Sequence, residues 1–170
     1  MPYDESVDIY DDNRVFTGKT LPREGLCLPE GEFMLYALCV VKNKEGKYLI
    51  TQRAANKSWG AGWWEISGGG VLTGEDTVTT AIREIGEEVG LDVAGAPFEL
   101  LYSYKNVDLK YGSNYIADIF CFTLDFQLED VVLQEEEAQA CRLVTWEDIQ
   151  ELGKQGIFLH YERLRQALGK

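Results

Sequence analysis

The chain has 170 residues, enough for one domain with a sizeable core and too few for two ordinary ones. Hydrophobic residues make up 45% of the chain, which argues against a disordered protein, and a net charge of -13 argues against binding to nucleic acid polymers or anionic membranes. The acidic beginning, MPYDESVDIYDD, lacks the apolar segment of a signal peptide, and no apolar run is long enough to cross a bilayer, so we expect a cytoplasmic protein.

Apolar and alternating runs predict most of the chain as strands. In chain order the predicted strands are VDIY (7–10) and RVFT (14–17), which form a hairpin, FMLYALCVV (33–41), KYLITQR (47–53), WWEIS (63–67), FELLYSYK (98–105), NYIADIFCFTL (114–124) and CRLVT (141–145). Loops are predicted at residues 18–32, which are rich in glycine and proline, at 54–62, and at the acidic stretch LQEEEAQA (133–140).

Helices are predicted at three places. A glycine-rich loop leads into a helix over residues 75–89, with Thr73 as its cap, Asp76 as the capping-box partner and Gly90 at its end. WEDIQELG predicts a short helix, and IFLHYERLRQALGK predicts a closing amphipathic helix. Because no repeat or linker divides the chain, we expect a single domain over 1–170 with an N-terminal hairpin extension at about 1–32, and helices on both sides of a mixed sheet.

Three glutamates, Glu84, Glu87 and Glu88, gather on one side of the helix predicted at 75–89. Like charges three and four residues apart on a helix repel each other. The pattern has two interpretations, a solvated acidic face or a site for a hard cation, since carboxylate oxygens suit Mg²⁺ and Mn²⁺. The apolar stripe expected to pack on the sheet consists of Val78, Ala81, Ile82, Ile85 and Val89.

The spacing around these glutamates forms a motif. It runs Gly69, five residues, Glu75, seven residues, Arg83-Glu84-Ile85, one residue, Glu87-Glu88, one residue, Gly90-Leu91. At every specified position the chain resembles the signature of the Nudix hydrolase family. Outside the motif, LITQR, NKSWGAGW and the approach W-x-I-S-G-G-G are similar to the subgroup related to isopentenyl-diphosphate isomerase.

The resemblance implies an α/β (α+β) fold, a Nudix-like α/β/α sandwich with a central mixed β-sheet. It also implies a hydrolase that requires Mg²⁺ or Mn²⁺ and cleaves a diphosphate linkage in a nucleoside diphosphate joined to another moiety, by attack of water on phosphorus. The expected partner is a small phosphorylated, nucleotide-derived substrate, with no nucleic acid polymer and no membrane. Family analogy suggests a homodimer.

The same resemblance implies roles for the residues of the motif. Glu84, Glu87 and Glu88 hold the metal, together with a backbone carbonyl near Gly68 or Gly69. Arg83 orients a neighbouring glutamate, and Glu75 supports the start of the helix. The general base lies either in the motif or on a later loop, where the candidates are Glu137, then Glu136 and Glu135.

Substrate binding is expected from several further groups. Gly68, Gly69 and Gly70 would allow unusual backbone angles and close approach of the ligand. Arg53 and Lys57 could meet phosphate oxygens or form surface ion pairs. Stacking on a base is expected from Trp63, although one of Trp63 and Trp64 should lie in the core because successive strand residues face opposite ways; other candidates are Trp59, Tyr102, Tyr104, Tyr111 and Tyr115. His160 is expected to be a packing or surface residue without a role.

Two alternative functions are open. An isopentenyl-diphosphate isomerase-like enzyme is implied by the subgroup, yet Ser67 stands near the place where those enzymes have a cysteine, and the single histidine is distant in sequence from the motif. A non-catalytic Nudix module that only binds a ligand is the other alternative.

Overall fold

The computed structural model describes residues 5–170, so the first four residues of the predicted N-terminal extension lie outside the described part. Its strands are β1 Ser6–Tyr10, β2 Phe16–Pro22, β3 Met34–Lys42, β4 Tyr48–Arg53, β5 Trp64–Glu65, β6 Ser67–Gly70, β7 Phe98–Asn106, β8 Tyr115–Thr123 and β9 Ala138–Val144. Its helices are α1 Thr77–Val89, α2 Trp146–Lys154 and α3 Tyr161–Ala167.

The main sheet is mixed, as predicted. Its strands lie in the order β5-β4-β3-β8-β7, with β6 paired to β3 and β9 paired to β4. Strands β3 and β8 run parallel, whereas the other pairs of this sheet are antiparallel. Nearly continuous apolar sequences suit β3 and β8, because both faces of a central strand are covered.

Helix α1 covers one face of this sheet through the predicted apolar stripe. Ala81, Ile85 and Val89 are fully buried against side chains of β3 and β8. Residues spaced three and four apart share one side of a helix, so burial of this stripe fixes the rotation of α1 and brings Glu84 beside Gly69 of β6. The helix ends at Gly90 as predicted, in the left-handed conformation with φ of 69°.

Helices α2 and α3 cover the opposite face. Ile149, Leu152 and Leu164 join Leu38 and Ile119 of the sheet in a second buried cluster. Helices on both faces give the α/β/α sandwich that the sequence predicts. In residues 5–170, no helix has the length and apolar character needed to span a membrane.

The hairpin β1–β2 forms a small sheet of its own and is fixed to the main sheet at its tip. Arg14, in the hairpin turn, forms a salt bridge with the buried Asp118 of β8. The Asp118 carboxylate also accepts hydrogen bonds from Thr77 of α1 at 2.6 Å and Ser103 of β7 at 2.7 Å. The hairpin, the start of α1 and two strands therefore meet at one carboxylate.

Two predictions around the glycine-rich segment are wrong. Residues 68–70 form a strand and not a loop, because their backbone pairs with β3. The cap of α1 is Asp76 and not Thr73: Oδ1 of Asp76 accepts a hydrogen bond from the backbone N–H of Thr79 at 2.7 Å. The helix therefore begins at Thr77, two residues later than predicted.

Two other predicted boundaries also differ. The loop predicted at 18–32 begins later, because β2 continues through Pro22 in its pairing with β1. The closing helix begins at Tyr161 and not at Ile157, because Phe158 pairs with Trp64 in an isolated parallel bridge.

Candidate active site

A cleft of about 360 Å³ lies where α1 and β6 face the end of β4, β5 and the start of α3. It brings together most of the residues singled out in the sequence. Those that line it are Arg53, Lys57, Trp59, Gly68, Gly69, Arg83, Glu84, Glu87, Glu88 and Glu137. Acidic and basic groups therefore share one cavity. This arrangement suits an anionic ligand that the basic groups bind directly and the acidic groups bind through a cation.

Glu84 and Glu88 lie one helical turn apart on the cleft side of α1. Burial raises the pKa of Glu88 well above its ordinary value, and the charge of Glu84 raises it further. Burial also raises the pKa of Glu84, against the lowering effect of Arg83. Both carboxylates are costly to ionise here, and positive charge beside them would reverse that cost.

Gly69 provides the room for Glu84. A β-carbon on residue 69 would lie 2.2 Å from Oε1 of Glu84, far inside contact distance. None of the three glycines at 68–70 has a positive φ. The prediction that they adopt unusual backbone angles is therefore wrong. Close approach of the glutamate is the reason that residue 69 must be glycine.

Arg83 connects the acidic groups of the motif. Its Nε donates to Glu75 at 2.9 Å, and its Nη1 donates to Glu84 at 2.9 Å and to Glu87 at 3.3 Å. Burial opposes ionisation of Glu75, yet the hydrogen bond from Arg83 lowers the pKa of Glu75 below its ordinary value. An ionised Glu75 thus fixes the guanidinium that contacts Glu84.

The motif glutamates are not arranged around one point. Among residues 5–170, no three or more His, Cys, Asp or Glu side chains are grouped so that they could hold a metal ion. Glu87 is half-exposed, and its carboxylate accepts from Arg83. Glu87 would have to turn away from Arg83 to share a ligand with Glu84 and Glu88.

Arg53 and Lys57 line the cleft, and each is paired with a carboxylate. Nη1 of Arg53 lies 3.4 Å from Glu65, and Nζ of Lys57 contacts Glu137. The Arg53 guanidinium also stacks on Trp59, 4.4 Å from the ring centre. Both cations can therefore meet a ligand in the cleft, although each must share its charge with a neighbouring acid.

Trp63, Gly70, Glu135 and Glu136 are not among the residues that line the cleft. Trp64 is buried in the core and Trp63 is 36% exposed, which confirms that one of the pair is a core residue. Trp63 lies just before β5 and outside this lining, so its contact with the substrate stays a prediction, whereas Trp59 lines the cleft.

Sequence reasoning assigned no site role to Glu5, Arg23, Tyr36, Glu65 and His160, which line the cleft as well. Arg23 comes from the hairpin extension, where it pairs with Glu5 at 2.8 Å, and no local pattern indicates that this segment reaches the cleft. The position of Glu65 could have been noticed in the sequence, because a charged residue inside an otherwise apolar predicted strand is unusual. His160 is distant from the motif in sequence, and only the packing of α3 brings it to the cleft.

Known proteins resemble this chain in sequence and in fold. A sequence model of the NUDIX domain matches residues 32–165. An uncharacterized Nudix hydrolase of Listeria monocytogenes is 33% identical over 165 residues, covering 95% of this chain and 92% of its own length. The isopentenyl-diphosphate Delta-isomerase of Cutibacterium acnes is 26% identical, covering 89% of this chain and 79% of the isomerase.

A solved structure is similar in fold. The NUDIX domain of Shewanella oneidensis NrtR, determined in complex with ADP ribose, superposes with a TM-score of 0.62 at 15% identity, covering 87% of this chain and 91% of that domain.

Proposed function

We propose that this chain, which belongs to the Nudix hydrolase family, cleaves the diphosphate linkage of a nucleoside diphosphate joined to another moiety, with the help of a divalent metal. In this reaction water attacks one phosphorus and the bridging P–O bond breaks. The observation that carries the proposal is the partly buried pair Glu84 and Glu88, of which Glu84 lies against Gly69, in a cleft that also holds Arg53 and Lys57.

The acidic side of the cleft fits a hard divalent cation. Glu84, Glu87 and Glu88 offer carboxylate oxygens, the ligands that Mg²⁺ and Mn²⁺ prefer, and a carbonyl near Gly69 could add another. Burial raises the pKa of Glu84 and Glu88, and the charge of Glu84 raises the pKa of Glu88 further, so a cation beside them would remove a cost of ionisation. When bound, such a cation screens the phosphate charge and lowers the pKa of a bound water.

The basic groups of the cleft would bind the diphosphate. Arg53 and Lys57 can donate charge-assisted hydrogen bonds to phosphate oxygens in exchange for their present partners, Glu65 and Glu137. Arg83 would keep Glu84 in place during turnover, since Glu75 already fixes its guanidinium. These residues orient the phosphorus for attack, and orientation is a large part of the rate of such reactions.

The base that takes the proton from the attacking water is either a glutamate of α1 or Glu137. Glu137 lines the cleft, whereas its neighbours Glu135 and Glu136 do not, which supports the preference for Glu137. Its carboxylate is held by Lys57. If a phosphate oxygen takes over Lys57, the carboxylate of Glu137 becomes free to accept a proton.

The isomerase-like alternative has weaker support. Ser67 stands near the position expected for a cysteine, and it is buried. Among residues 5–170, no cysteine lines the cleft. The relationship to the isomerase of C. acnes therefore supports the shared fold more than a shared reaction.

A non-catalytic module would keep the acidic site but would not turn over a substrate. Measurement of hydrolysis therefore distinguishes such a module from the proposed hydrolase. The cytoplasmic location and the homodimer stay predictions.

Release of phosphate-containing products from a panel of ADP-ribose, UDP-glucose, diadenosine diphosphate and ATP, with Mg²⁺ or Mn²⁺, tests the proposal. ADP-ribose belongs in the panel because NrtR binds it. We expect hydrolysis of a diphosphate-linked compound that is lost in Glu88→Gln and kept in the control Glu162→Gln, which changes an exposed residue of α3. Equal hydrolysis by wild type and Glu88→Gln would contradict the proposal.

A further inference from the structure

We propose that His160 contacts the part of the substrate beyond the diphosphate and recognises a hydroxyl group there, as on a ribosyl or other sugar moiety. This inference rests on the proposed function and deepens it. Its basis is the combination of a cleft position, a rigid and strained backbone, and an imidazole that makes no capping hydrogen bond to α3.

His160 lies on a different wall of the cleft from the motif glutamates. It is the residue immediately before α3 and lines the cavity together with Arg53 and Trp59. Its backbone is fixed on both sides: the preceding N–H, of Leu159, donates to Trp64 at 2.9 Å, and the carbonyl of His160 accepts from Leu164 at 2.9 Å. The imidazole is therefore presented by a rigid segment and not by a mobile loop.

The backbone of His160 is in the left-handed region, with φ of 57° and ψ of 27°. Among residues 5–170, only Arg14 shares a positive φ without being glycine. For Arg14, the salt bridge to Asp118 offsets the cost of this backbone conformation. Within residues 5–170, His160 forms no such salt bridge, and its side chain makes no capping hydrogen bond to α3. Strain of this kind is typical of functional sites.

The chemistry of the imidazole selects a hydroxyl group over a phosphate. Burial lowers the pKa of His160, and the charges of Arg163 and Arg53 lower it further, so the ring is neutral at neutral pH. A neutral imidazole offers one donor and one acceptor, which matches a hydroxyl that can accept and donate. The same cleft contains three cationic side chains that could bind phosphate oxygens, Arg53, Lys57 and Arg23.

The histidine is unique in the sequence, so one imidazole signal in an NMR spectrum of untagged, histidine-labelled protein reports on it directly. With Mg²⁺ present, the probes are methylenediphosphonate, α,β-methylene-ADP and α,β-methylene-ADP-ribose, which hydrolysis of a P–O–P bond cannot consume. We expect the third probe to move the His160 signal much more than the first two. The indole signal of Trp59 reports independently that a probe has entered the cleft.

Movement of the Trp59 signal by α,β-methylene-ADP-ribose with a stationary His160 signal would overturn this inference and leave the proposed function intact. Movement of neither signal by any probe, together with no hydrolysis of the substrate panel, would contradict the proposed function and this inference with it.

Variants at the same position supply a kinetic test. Glycine and asparagine both tolerate the left-handed backbone, so His160→Gly and His160→Asn should fold normally, as checked by thermal melting. We expect KM for ADP-ribose to rise roughly tenfold, with a smaller change in kcat, as for the loss of one hydrogen bond. Glu162→Gln, on the exposed side of α3, is the matched control and should keep KM. An unchanged KM in both His160 variants would overturn the inference.

Discussion

The fit of Glu84 against Gly69 illustrates how single residues determine the candidate site. The glutamate side chain is 12% exposed, and the space that it fills is the space that a β-carbon on residue 69 would need. Arg83 holds the same carboxylate from the other direction at 2.9 Å. Glu84 is therefore positioned by one steric and one electrostatic contact, and loss of either should displace a group that we assign to the cation.

Gly69→Ala tests this steric contact. We expect turnover of the substrate that wild type hydrolyses to fall roughly 10- to 100-fold, because small displacements of catalytic groups have effects of this size. Circular dichroism should show that the fold persists. The control is Gly86→Ala on α1, where the nearest atom to a new β-carbon is 3.9 Å away. That variant should gain about 0.5–1 kcal/mol in free energy of unfolding from helix propensity. Full activity of Gly69→Ala would refute the steric role.

At the scale of elements, the strands and helices with local patterns were predictable and those that depend on distant partners were not. The apolar run of β3 and the amphipathic α1 carry their own signal, and so does Gly90 at the end of α1. Strand β6 consists of serine and three glycines, and glycine has low strand propensity. The strand forms because its backbone pairs with β3. The N-terminal hairpin is similar: its turn was visible in the sequence, but its anchor on Asp118 was not.

The anchor of the hairpin predicts a dependence of stability on pH. Burial opposes ionisation of Asp118, but hydrogen bonds from Arg14, Thr77 and Ser103 lower its pKa below the ordinary value. A carboxyl whose pKa is lower in the folded state stabilises the fold above its unfolded pKa of about 3.9. This stabilisation is lost as the pH falls through the folded pKa.

Asp118→Asn should therefore lower the free energy of unfolding by roughly 2 kcal/mol at pH 7. The difference from wild type should shrink as the pH is lowered from about 4 toward the folded pKa. Urea unfolding across this pH range measures it. Asp125→Asn is the control, since Asp125 is 69% exposed and lies 3.5 Å from Lys44. A difference between Asp118→Asn and wild type that stays constant with pH would contradict the assigned anchor.

At the scale of the whole molecule, the fold gathers groups that are far apart in sequence. The motif residues lie within one stretch, so sequence analysis could find Gly69, Arg83 and the three glutamates. Arg23 and His160 reach the same cleft from the hairpin and from α3, and no sequence pattern records that proximity. The net charge of -13 adds to the repulsion within the acidic cluster, so a bound divalent cation should stabilise the entire domain.

Mg²⁺ or Mn²⁺ should raise the melting temperature of the wild-type protein. At a hundredfold excess over its Kd, a cation that binds only the folded form should add roughly 5–10 °C for a domain of this size. Ionic strength is kept equal with NaCl, because simple screening of the negative charge also stabilises the fold. Glu88→Gln should lose most of this gain. An equal shift in wild type and variant would indicate general screening and would count against a site at the glutamates.

The central claim, that water attacks phosphorus in this cleft, is tested most directly by hydrolysis in water enriched in oxygen-18. The compound from the panel with the highest turnover would be cleaved, and its products analysed by mass spectrometry. We predict that oxygen-18 enters the phosphate group of one product, as required by attack on phosphorus and cleavage of the bridging P–O bond. Oxygen-18 on a carbon of the second moiety, with both phosphate groups unlabelled, would show cleavage of a C–O bond and contradict the account.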